Sequence, residues 1–389
     1  MAPQAQHIPC TCRELPKLVD FDSTDARESL MNNLSRFGWS QIRTKVTTNE
    51  KSQPPEPTQE QILEYFNGSP TSSHRPQPAN CVYRSLESGA IGTVEPKESL
   101  EVKIADVSPD NHHSSSNGRP RQGPEPILQW CRSLRSIAER VNQLLELPPN
   151  VLLESPREKS LDLMRAFYYH AVPEDNTLSL SSAPAGGGSM FGSSEHTDWG
   201  TLTVVWQDQV GGLQTFCQAC QKYVDVPTVE VTSKDHGGGG GGGGGAPSND
   251  KSPNEWSCIV HVGDTLSLAL GRRSTSVETS YDSADSKDQP KHGEVRWPSP
   301  THRVLAQSKV RTSLVYFVYP PSTSSIQSLQ MKLRGWEESR RGLQLPLSMY
   351  YLLKDQSTEG SETPSELFES MVNRSLGEVF QEKWGQVQR

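Results

Sequence analysis

The sequence predicts a mainly β protein with helices packed on the outside of its sheets. Segments rich in β-branched and aromatic residues, which favour strands, occur at residues 201–206 and 314–319. Residues 256–268 are similar and predict two short strands around a Gly263-Asp264 turn. Residues 127–147 instead carry apolar side chains every three or four positions, the period of an amphipathic helix. Together these patterns place strands at the centre of the fold and a long helix outside.

Shorter elements are predicted elsewhere by the same reasoning. Strands are predicted at residues 15–21, 37–42 and 161–170. Helices are predicted at residues 25–36, 58–67 and 366–381. We therefore expect strands and helices to alternate before the β-rich part of the chain and a helix to follow it.

Composition excludes several classes of protein. The chain has 389 residues and a formal net charge of −8, and its basic residues are scattered, which argues against nucleic acid and anionic membrane surfaces as partners. It contains no apolar run near the ~18 residues of a membrane span. Its first residues lack a basic segment followed by an apolar one, and seven cysteines fit a reducing compartment better than a disulfide framework. We expect a cytoplasmic protein whose oligomeric state is open.

A possible metal site begins at His196 and Asp198. Residues two apart on extended backbone point to the same side, so an imidazole nitrogen and a carboxylate oxygen can reach one ion. His302, which precedes another strand-like segment, supplies a third ligand. Two histidines and one carboxylate on one face of an octahedron suit non-haem Fe(II) oxygen chemistry. His292 and Glu294 form a competing pair, but no β-rich segment adjoins them.

A possible anion site follows nine residues after His302. Arg311 and Ser313 share one face of the next predicted strand. A guanidinium fork with a hydroxyl beside it is well shaped to bind a carboxylate.

These motifs together resemble the iron- and 2-oxoglutarate-dependent dioxygenases, specifically their isopenicillin N synthase-like branch. The resemblance covers most of the chain, from about Leu15 to about Pro320. The matching segments occur in the family's order and are residues 196–203, residues 207–214, Val262-Gly263-Asp264, His302-Arg303-Val304 and Arg311 with Ser313.

The resemblance implies a double-stranded β-helix, a jelly-roll barrel with the metal at its mouth. It implies that His196, Asp198 and His302 hold Fe(II). Arg311 and Ser313 would bind the far carboxylate of 2-oxoglutarate, with Tyr169 as a helper. The implied reaction couples decarboxylation of 2-oxoglutarate to succinate, with O2 as the second co-substrate, to hydroxylation or a related oxidation of a small organic substrate.

The sequence departs from the family's pattern at three places. Relatives continue into an Asn-His-Gly turn where this chain has Arg43-Thr44-Lys45. Phe167 stands where relatives often have an asparagine that contacts the co-substrate, so Tyr169 reads equally well as part of a core aromatic cluster. His261 also stands where relatives typically have asparagine, and we interpret it as a packing or hydrogen-bonding residue.

The resemblance and the composition divide the chain into four regions. A low-complexity composition marks insertions in the second and third regions, and nine consecutive glycines at residues 237–245 predict that one of these insertions lacks order. The regions are a flexible tail at 1–13, an amino-terminal dioxygenase region at 14–150, a catalytic double-stranded β-helix at 151–320 with disordered insertions near 233–252 and 272–295, and a carboxy-terminal helical region at 321–389.

Three other functions remain open from sequence. The first is an oxidase of the same fold that uses O2 without an oxo-acid, since such relatives can keep Arg311 and Ser313. The second is a non-catalytic scaffold that retains the barrel. The third is a zinc hydrolase, although no side chain near the ligands resembles its general base. Cys217 and Cys220 form one pair and Cys10 and Cys12 another, but the two pairs lie about 200 residues apart and not at the spacing that a structural zinc usually requires.

Overall fold

The fold is built from twelve strands and six helices in the part of the chain described by the computed structural model. That part comprises residues 15–45, 56–66, 81–84, 95–103, 126–147, 151, 160–172, 191–217, 221–228, 255–270, 297–333 and 374–387. The strands are β1 Val19–Asp20, β2 Trp39–Lys45, β3 Cys81–Arg84, β4 Lys97–Lys103, β5 Leu163–Tyr169, β6 Phe191–His196, β7 Leu202–Gln207, β8 Leu213–Cys217, β9 Lys222–Asp225, β10 Glu255–Val262, β11 His302–Leu305 and β12 Arg311–Val318. The helices are α1 Ala26–Phe37, α2 Gln59–Phe66, α3 Pro126–Leu145, α4 Asp264–Ala269, α5 Ile326–Leu333 and α6 Leu376–Val387.

Two sheets form the core of the fold. The large sheet has the order β1-β2-β10-β7-β12-β5-β4-β3, and the small sheet has the order β6-β11-β8-β9. Only the β1–β2 pair is parallel among the strand pairs of the described residues. From β5 to β12 the chain passes back and forth between the sheets. This alternation gives the eight-stranded double-stranded β-helix, so the predicted jelly-roll class is confirmed.

Each central strand of the large sheet has two buried faces. On β12, for example, Leu314 and Tyr316 pack in the cluster that includes α1, α2 and α3, whereas Val315 packs between the sheets. Phe167 and Tyr169 of β5 likewise meet Leu213 of the small sheet. The alternation of side chains along a strand therefore sends one set toward the helices and the other into the barrel.

Most of the predicted elements are confirmed. The helices predicted at residues 25–36, 58–67 and 127–147 correspond to α1, α2 and α3, and the strands predicted at 37–42 and 161–170 correspond to β2 and β5. Helix α1 ends at Gly38, whose φ of 75° is left-handed. A side chain at this position would be strained, and the turn lets β2 begin one residue later.

Three predicted elements need correction. Residues 256–262 form β10, but the second half of that segment is helix α4 and not a strand. All six residues of α4 are buried, so the helix has no exposed face. Its alternation of polar and apolar residues therefore does not distinguish a buried side from an exposed side. The strand predicted at 15–21 shrinks to β1, and the helix predicted at 366–381 begins at Leu376 among the described residues. Strands β3, β4, β6, β8 and β9 have no counterpart in the predictions.

Several predictions concern residues outside the described ranges. These are the tail at 1–13, the insertions near 233–252 and 272–295, and the pair His292 and Glu294. The division of the chain into four regions stays a prediction. Within the described residues, no helix combines the length and apolar character needed to cross a membrane.

Candidate active site

Three segments that are distant in sequence meet at one end of the small sheet. His196 is the last residue of β6, Asp198 follows in the connection to β7, and His302 is the first residue of β11. His302 lies 106 residues after His196, yet the two are Cα partners across the antiparallel β6–β11 pair. Sheet pairing therefore brings together the three residues that the sequence predicted as metal ligands.

The side chains of these residues converge on one carboxylate oxygen. Nε2 of His196 lies 3.9 Å from Oδ1 of Asp198, and Nε2 of His302 lies 3.8 Å from the same atom. One ligand atom from each of the three residues lies within 4.8 Å of the others. This arrangement can surround a single metal ion from one side.

The other nitrogen of each imidazole ring is held by the backbone. Nδ1 of His196 lies 2.7 Å from the Ser194 carbonyl oxygen, and Nδ1 of His302 lies 3.1 Å from the Pro300 carbonyl oxygen. A carbonyl can only accept, so each Nδ1 carries the hydrogen and donates it. Each Nε2 then presents a lone pair, as a metal-binding histidine requires.

The electrostatics of the site favour the metal-binding protonation states. Burial alone would raise the pKa of Asp198, but His302, His261 and His196 outweigh it and hold the pKa well below its usual range. Burial, together with the neighbouring His302, lowers the pKa of His196 to about 4, although 37% of its side-chain surface stays exposed. At neutral pH the pair therefore offers a neutral imidazole and a carboxylate, the forms that bind metal.

The donor set fits Fe(II). Two imidazole nitrogens and one carboxylate on one side of an ion leave the opposite positions open, which is the arrangement of non-haem iron oxygenases. Asp198 Oδ2 is buried and has no hydrogen-bond partner in the described part of the chain. An isolated buried carboxylate is costly, and a bound cation would offset that cost.

Asp264 braces the segments that carry the ligands. Its carboxylate accepts hydrogen bonds from Thr197 Oγ1 at 3.0 Å and from Ser299 Oγ at 2.6 Å. Its backbone N–H donates to the Asp198 carbonyl at 2.7 Å. Sequence reasoning placed Asp264 in a family motif without a role, because its contacts join segments far apart in the chain.

Two glycines allow this brace to form. A Cβ atom added to Gly263 would lie 2.1 Å from the Gly200 carbonyl oxygen, and one added to Gly200 would lie 2.3 Å from the Val318 carbonyl oxygen. Any side chain at either position would push apart the backbone segments beside Asp198. Gly200 of the segment at residues 196–203 and Gly263 of Val262-Gly263-Asp264 are therefore explained by the close approach of neighbouring backbone segments.

Arg311 is buried beside the barrel interior and has only neutral partners. Its guanidinium donates to the Gly211 carbonyl at 2.7 Å, to Gln207 Oε1 at 3.1 Å and to Ser313 Oγ at 3.3 Å. The residue is 1% exposed, and no described carboxylate lies within ion-pair distance of it. A buried cation without an opposite charge is prepared to receive an anion. The structure thus brings Arg311 and Ser313 into contact, as their shared strand face predicted.

Tyr169 lies over the guanidinium of Arg311. The Arg311 Cζ atom is 4.6 Å from the ring centroid, within the range of a cation–π contact. Gly192 makes room for this ring, because a Cβ there would lie 2.8 Å from Tyr169 Cδ1. Tyr169 also packs with Phe167 at 5.9 Å, so it belongs both to the aromatic cluster and to the surroundings of Arg311.

Sequence reasoning missed a buried charged pair at the edge of the barrel. Lys97 Nζ lies 2.6 Å from Glu95 Oε2, donates to Ser193 Oγ at 3.1 Å and lies 5.4 Å from the Phe167 ring centroid. Both residues belong to the segment around β4, which carries none of the family's motifs. Only the pairing of β4 with β5 brings Lys97 opposite Tyr169.

Comparison with known proteins finds local sequence similarity. No protein-family model matches the chain. It is 34% identical over 124 residues to deacetoxyvindoline 4-hydroxylase of Catharanthus roseus, covering 30% of this chain and 27% of that protein. It is 50% identical over 42 residues, 11% of each chain, to 1-aminocyclopropane-1-carboxylate oxidase of Dictyostelium mucoroides. It is 26% identical over 110 residues to the 2-oxoglutarate-dependent dioxygenase traH of Penicillium crustosum, covering 27% of this chain and 30% of that protein.

The matches to the hydroxylase and to traH confirm the predicted resemblance to 2-oxoglutarate-dependent dioxygenases, while the narrower isopenicillin N synthase-like assignment stays a prediction. The chain spans between about a tenth and a third of the length of these curated relatives.

Two solved structures are similar to this chain in fold at low sequence identity. Full-length T7H of Neurospora crassa, bound to 2-oxoglutarate, has a TM-score of 0.48 and 16% identity, with 91% of this chain and 95% of that chain covered. The dioxygenase for auxin oxidation 1 of Arabidopsis thaliana, also bound to 2-oxoglutarate, has a TM-score of 0.45 and 14% identity, with 79% and 93% covered. The strand order of this chain by itself gives the jelly-roll fold.

Proposed function

We propose that this chain is an Fe(II)- and 2-oxoglutarate-dependent oxygenase of the isopenicillin N synthase-like branch, acting on a small organic molecule in the cytoplasm. The observation that carries the proposal is a pair of incomplete sites in one barrel. One is the His196, Asp198 and His302 cluster. The other is the buried Arg311, whose partners among the described residues are all neutral.

The metal would be held by Nε2 of His196, Nε2 of His302 and Oδ1 of Asp198. Fe(II) in such a set keeps open positions where O2 and an oxo-acid can be activated. The protein's own contribution is to fix the ligands, through the carbonyl groups of Ser194 and Pro300 and through the Asp264 brace.

The co-substrate would be bound through its far carboxylate. Arg311 supplies a permanent positive charge with planar donors, and Ser313 adds a hydroxyl 3.3 Å from the guanidinium. Tyr169 holds the guanidinium from one side, which orients the donors before the anion arrives. A dicarboxylate oxo-acid would span the two sites because it carries an acid at each end.

The barrel interior would protect the reaction from water. Apolar side chains from both sheets, including Val205, Leu213, Ile259 and Val304, line the space between the sheets. Closing out water strengthens the electrostatic contacts of Arg311 and limits side reactions. The primary substrate would enter beside His196, whose side chain is 37% exposed.

An oxidase that needs no oxo-acid is the second candidate. It is favoured by the 50% identity over 42 residues to a protein named 1-aminocyclopropane-1-carboxylate oxidase. The two candidates share the metal ligands and differ in the role of Arg311. In the oxidase, Arg311 would bind a different anion, or none.

Succinate production separates the two candidates. The purified protein is loaded anaerobically with Fe(II), exposed to O2 and 2-oxoglutarate, and assayed for succinate with and without a panel of small organic molecules. We expect succinate to require both iron and oxo-acid and to form faster with a true substrate. Substrate oxidation without oxo-acid would instead support the oxidase. Bound zinc with hydrolytic activity would support the hydrolase. Absence of metal binding would support the scaffold.

A further inference from the structure

His261 is a buried histidine whose ring nitrogens have no hydrogen-bond partner among the described residues. It lies on β10, opposite Thr203 of β7 and Trp39 of β2, and shares with Ile259 the strand face that looks between the sheets. The residue is 1% exposed, and neither Nδ1 nor Nε2 has a hydrogen-bond partner in the described ranges. Leaving a buried donor unpaired costs about 1–3 kcal/mol. Such a side chain invites an explanation beyond packing.

An unpaired polar atom close to His261 belongs to a proposed metal ligand. His261 Nδ1 lies 3.9 Å from Oδ2 of Asp198, and this oxygen is itself buried without a partner. The two histidine ligands approach the other oxygen, Oδ1, at 3.9 and 3.8 Å. The carboxylate is thus divided, with one oxygen toward His196 and His302 and the other toward His261.

His261 is placed as a neighbour of the cluster and not as a fourth ligand. The group whose ligand atoms lie within 4.8 Å of one another contains His196, Asp198 and His302 but not His261. The His261 ring packs against His302 with centroids 4.8 Å apart. It therefore touches two of the three ligands without sharing their common centre.

We propose that His261 is a positioning residue of the metal centre, which donates its Nδ1–H to Oδ2 of Asp198 when metal is bound at Oδ1. Closing the gap between Nδ1 and Oδ2 by about 1 Å would form a normal hydrogen bond and give each of these two atoms a partner. The bond would keep Asp198 attached through a single oxygen, leaving a metal position open for co-substrates. This inference rests on the proposed function, because it requires the metal.

Metal affinity of matched variants tests the proposal. Co(II) and anaerobic Fe(II) dissociation constants are measured by competition with a chromogenic chelator, together with the visible absorption of the Co(II) form. His261→Leu removes the donor, and we expect affinity to fall about 10–100-fold, the usual effect of losing an outer contact to a metal ligand. His261→Asn places an amide N–H near the position of Nδ1 and should recover most of the affinity and the wild-type spectrum. His261→Gln places its donor near Nε2 and should not.

Val260→Ala provides the matched control for lost packing. Val260 is fully buried on the same strand but faces the helices. We expect it to lower the unfolding temperature while leaving the metal dissociation constant unchanged. His261→Phe gives a second donor-free side chain if the leucine variant does not fold.

The results distinguish this inference from the proposed function. If wild type binds metal and His261→Leu binds it equally well, His261 only packs and the inference is wrong. The inference is also wrong if His261→Asn loses as much affinity as His261→Leu. If wild type binds neither Fe(II) nor Co(II), the metal centre itself is wrong, and the inference fails with it.

Discussion

Two buried arginines show opposite ways of placing a positive charge inside this protein. Arg135 of α3 donates to Asp162 at 2.9 Å and to Glu139 at 2.9 Å, so its positive charge is balanced by neighbouring carboxylates. Arg311 of β12 donates only to neutral oxygens among the described residues, although it is more deeply buried, at 1% exposure against 4%. Both arginines adjoin the large sheet, one in the helix layer and one in the barrel.

The difference separates a structural charge from a binding charge. The Arg135–Asp162 pair is complete, and Tyr316 Oη adds a hydrogen bond to Asp162 at 3.1 Å. Arg311 and Asp198 are each incomplete, and their missing partners have the chemistry of an anion and a cation. Charge matching thus locates a ligand site where burial and residue type alone do not.

The largest effect is expected from the metal ligands. His196→Ala, Asp198→Ala and His302→Ala should each abolish turnover, because each removes one of three donors to the same ion. Iron binding and succinate formation are measured together. His170→Ala is the control, since this histidine pairs with Glu98 and lies outside the cluster. Normal turnover in any one ligand variant would remove that residue from the site.

Arg135→Met tests whether the ion pair between Arg135 and Asp162 serves stability. Removing one member of a buried ion pair strands the other, so we expect the free energy of unfolding to fall by about 3–5 kcal/mol. Denaturant titration measures it, and metal affinity should stay normal in the folded protein. The matched control is Arg27→Met, which breaks an exposed pair with Glu146 and should cost no more than about 1 kcal/mol. Equal costs for the two variants would contradict the interpretation.

Arg311→Gln should show the opposite pattern. Without co-substrate it removes an unmatched buried charge, so the unfolding free energy should not fall as it does in Arg135→Met. With co-substrate the lost charge pair should cost about 2–4 kcal/mol of binding. This corresponds to roughly a 30- to 1,000-fold rise in the apparent 2-oxoglutarate constant.

Arg311→Lys should rescue that constant only in part, because it restores the charge without the planar fork. Succinate production against oxo-acid concentration measures both variants, and iron binding should stay near normal. A wild-type oxo-acid dependence in Arg311→Gln would exclude the assignment and favour the oxidase.

Asp162 should give the structural pair a pH signature. Burial raises the pKa of its carboxyl to about 6, above the ~3.9 of an exposed aspartate, despite hydrogen bonds and Arg135, which act in the other direction. The folded state then binds the proton more tightly than the unfolded state. Its contribution to stability is therefore greatest below about pH 4 and is lost as the pH rises through 6. Unfolding free energies of wild type and Asp162→Asn between pH 4 and 7 should differ in slope, and parallel curves would refute the shift.

The smallest effect is expected from deleting residues 235–250, which lie outside the described residues. The run of nine glycines within this segment has no side chains to bury. We therefore expect the deletion to change neither the stability of the fold nor the binding of metal. Thermal unfolding and metal affinity of the deletion should match wild type. A large loss of thermal stability would show that this segment contributes packing.

Sequence patterns predicted those features that depend on neighbours along the chain. The two-residue spacing of His196 and Asp198, the shared face of Arg311 and Ser313, and the apolar spacing of α3 are all local. The role of Asp264 was not predictable, because its partners Thr197 and Ser299 come from distant segments. The sequence pattern of helix α4 predicts a strand, because the helix is buried on every side and shows no helical period.

The unpaired state of His261 shows a second limit. The sequence marks His261 as unusual, because relatives typically have asparagine at this position. It predicts only a packing or hydrogen-bonding role for this residue. Whether its nitrogens find partners depends on the register of β10 against β7 and on the turn that carries Asp198. Whether a buried polar atom lacks a hydrogen-bond partner is decided by how the strands of the barrel assemble. The sequence of a single strand therefore cannot predict it.

The pairing of His196 with His302 also has a consequence during synthesis. At roughly 5–20 residues per second, the 106 residues between them take about 5–20 s to translate. Throughout that interval a growing chain has only two of the three proposed ligands, His196 and Asp198. Iron capture by the proposed set would therefore wait until β11 has left the ribosome and docked between β6 and β8. Loading of the ion would then report that the last strands of the barrel have closed.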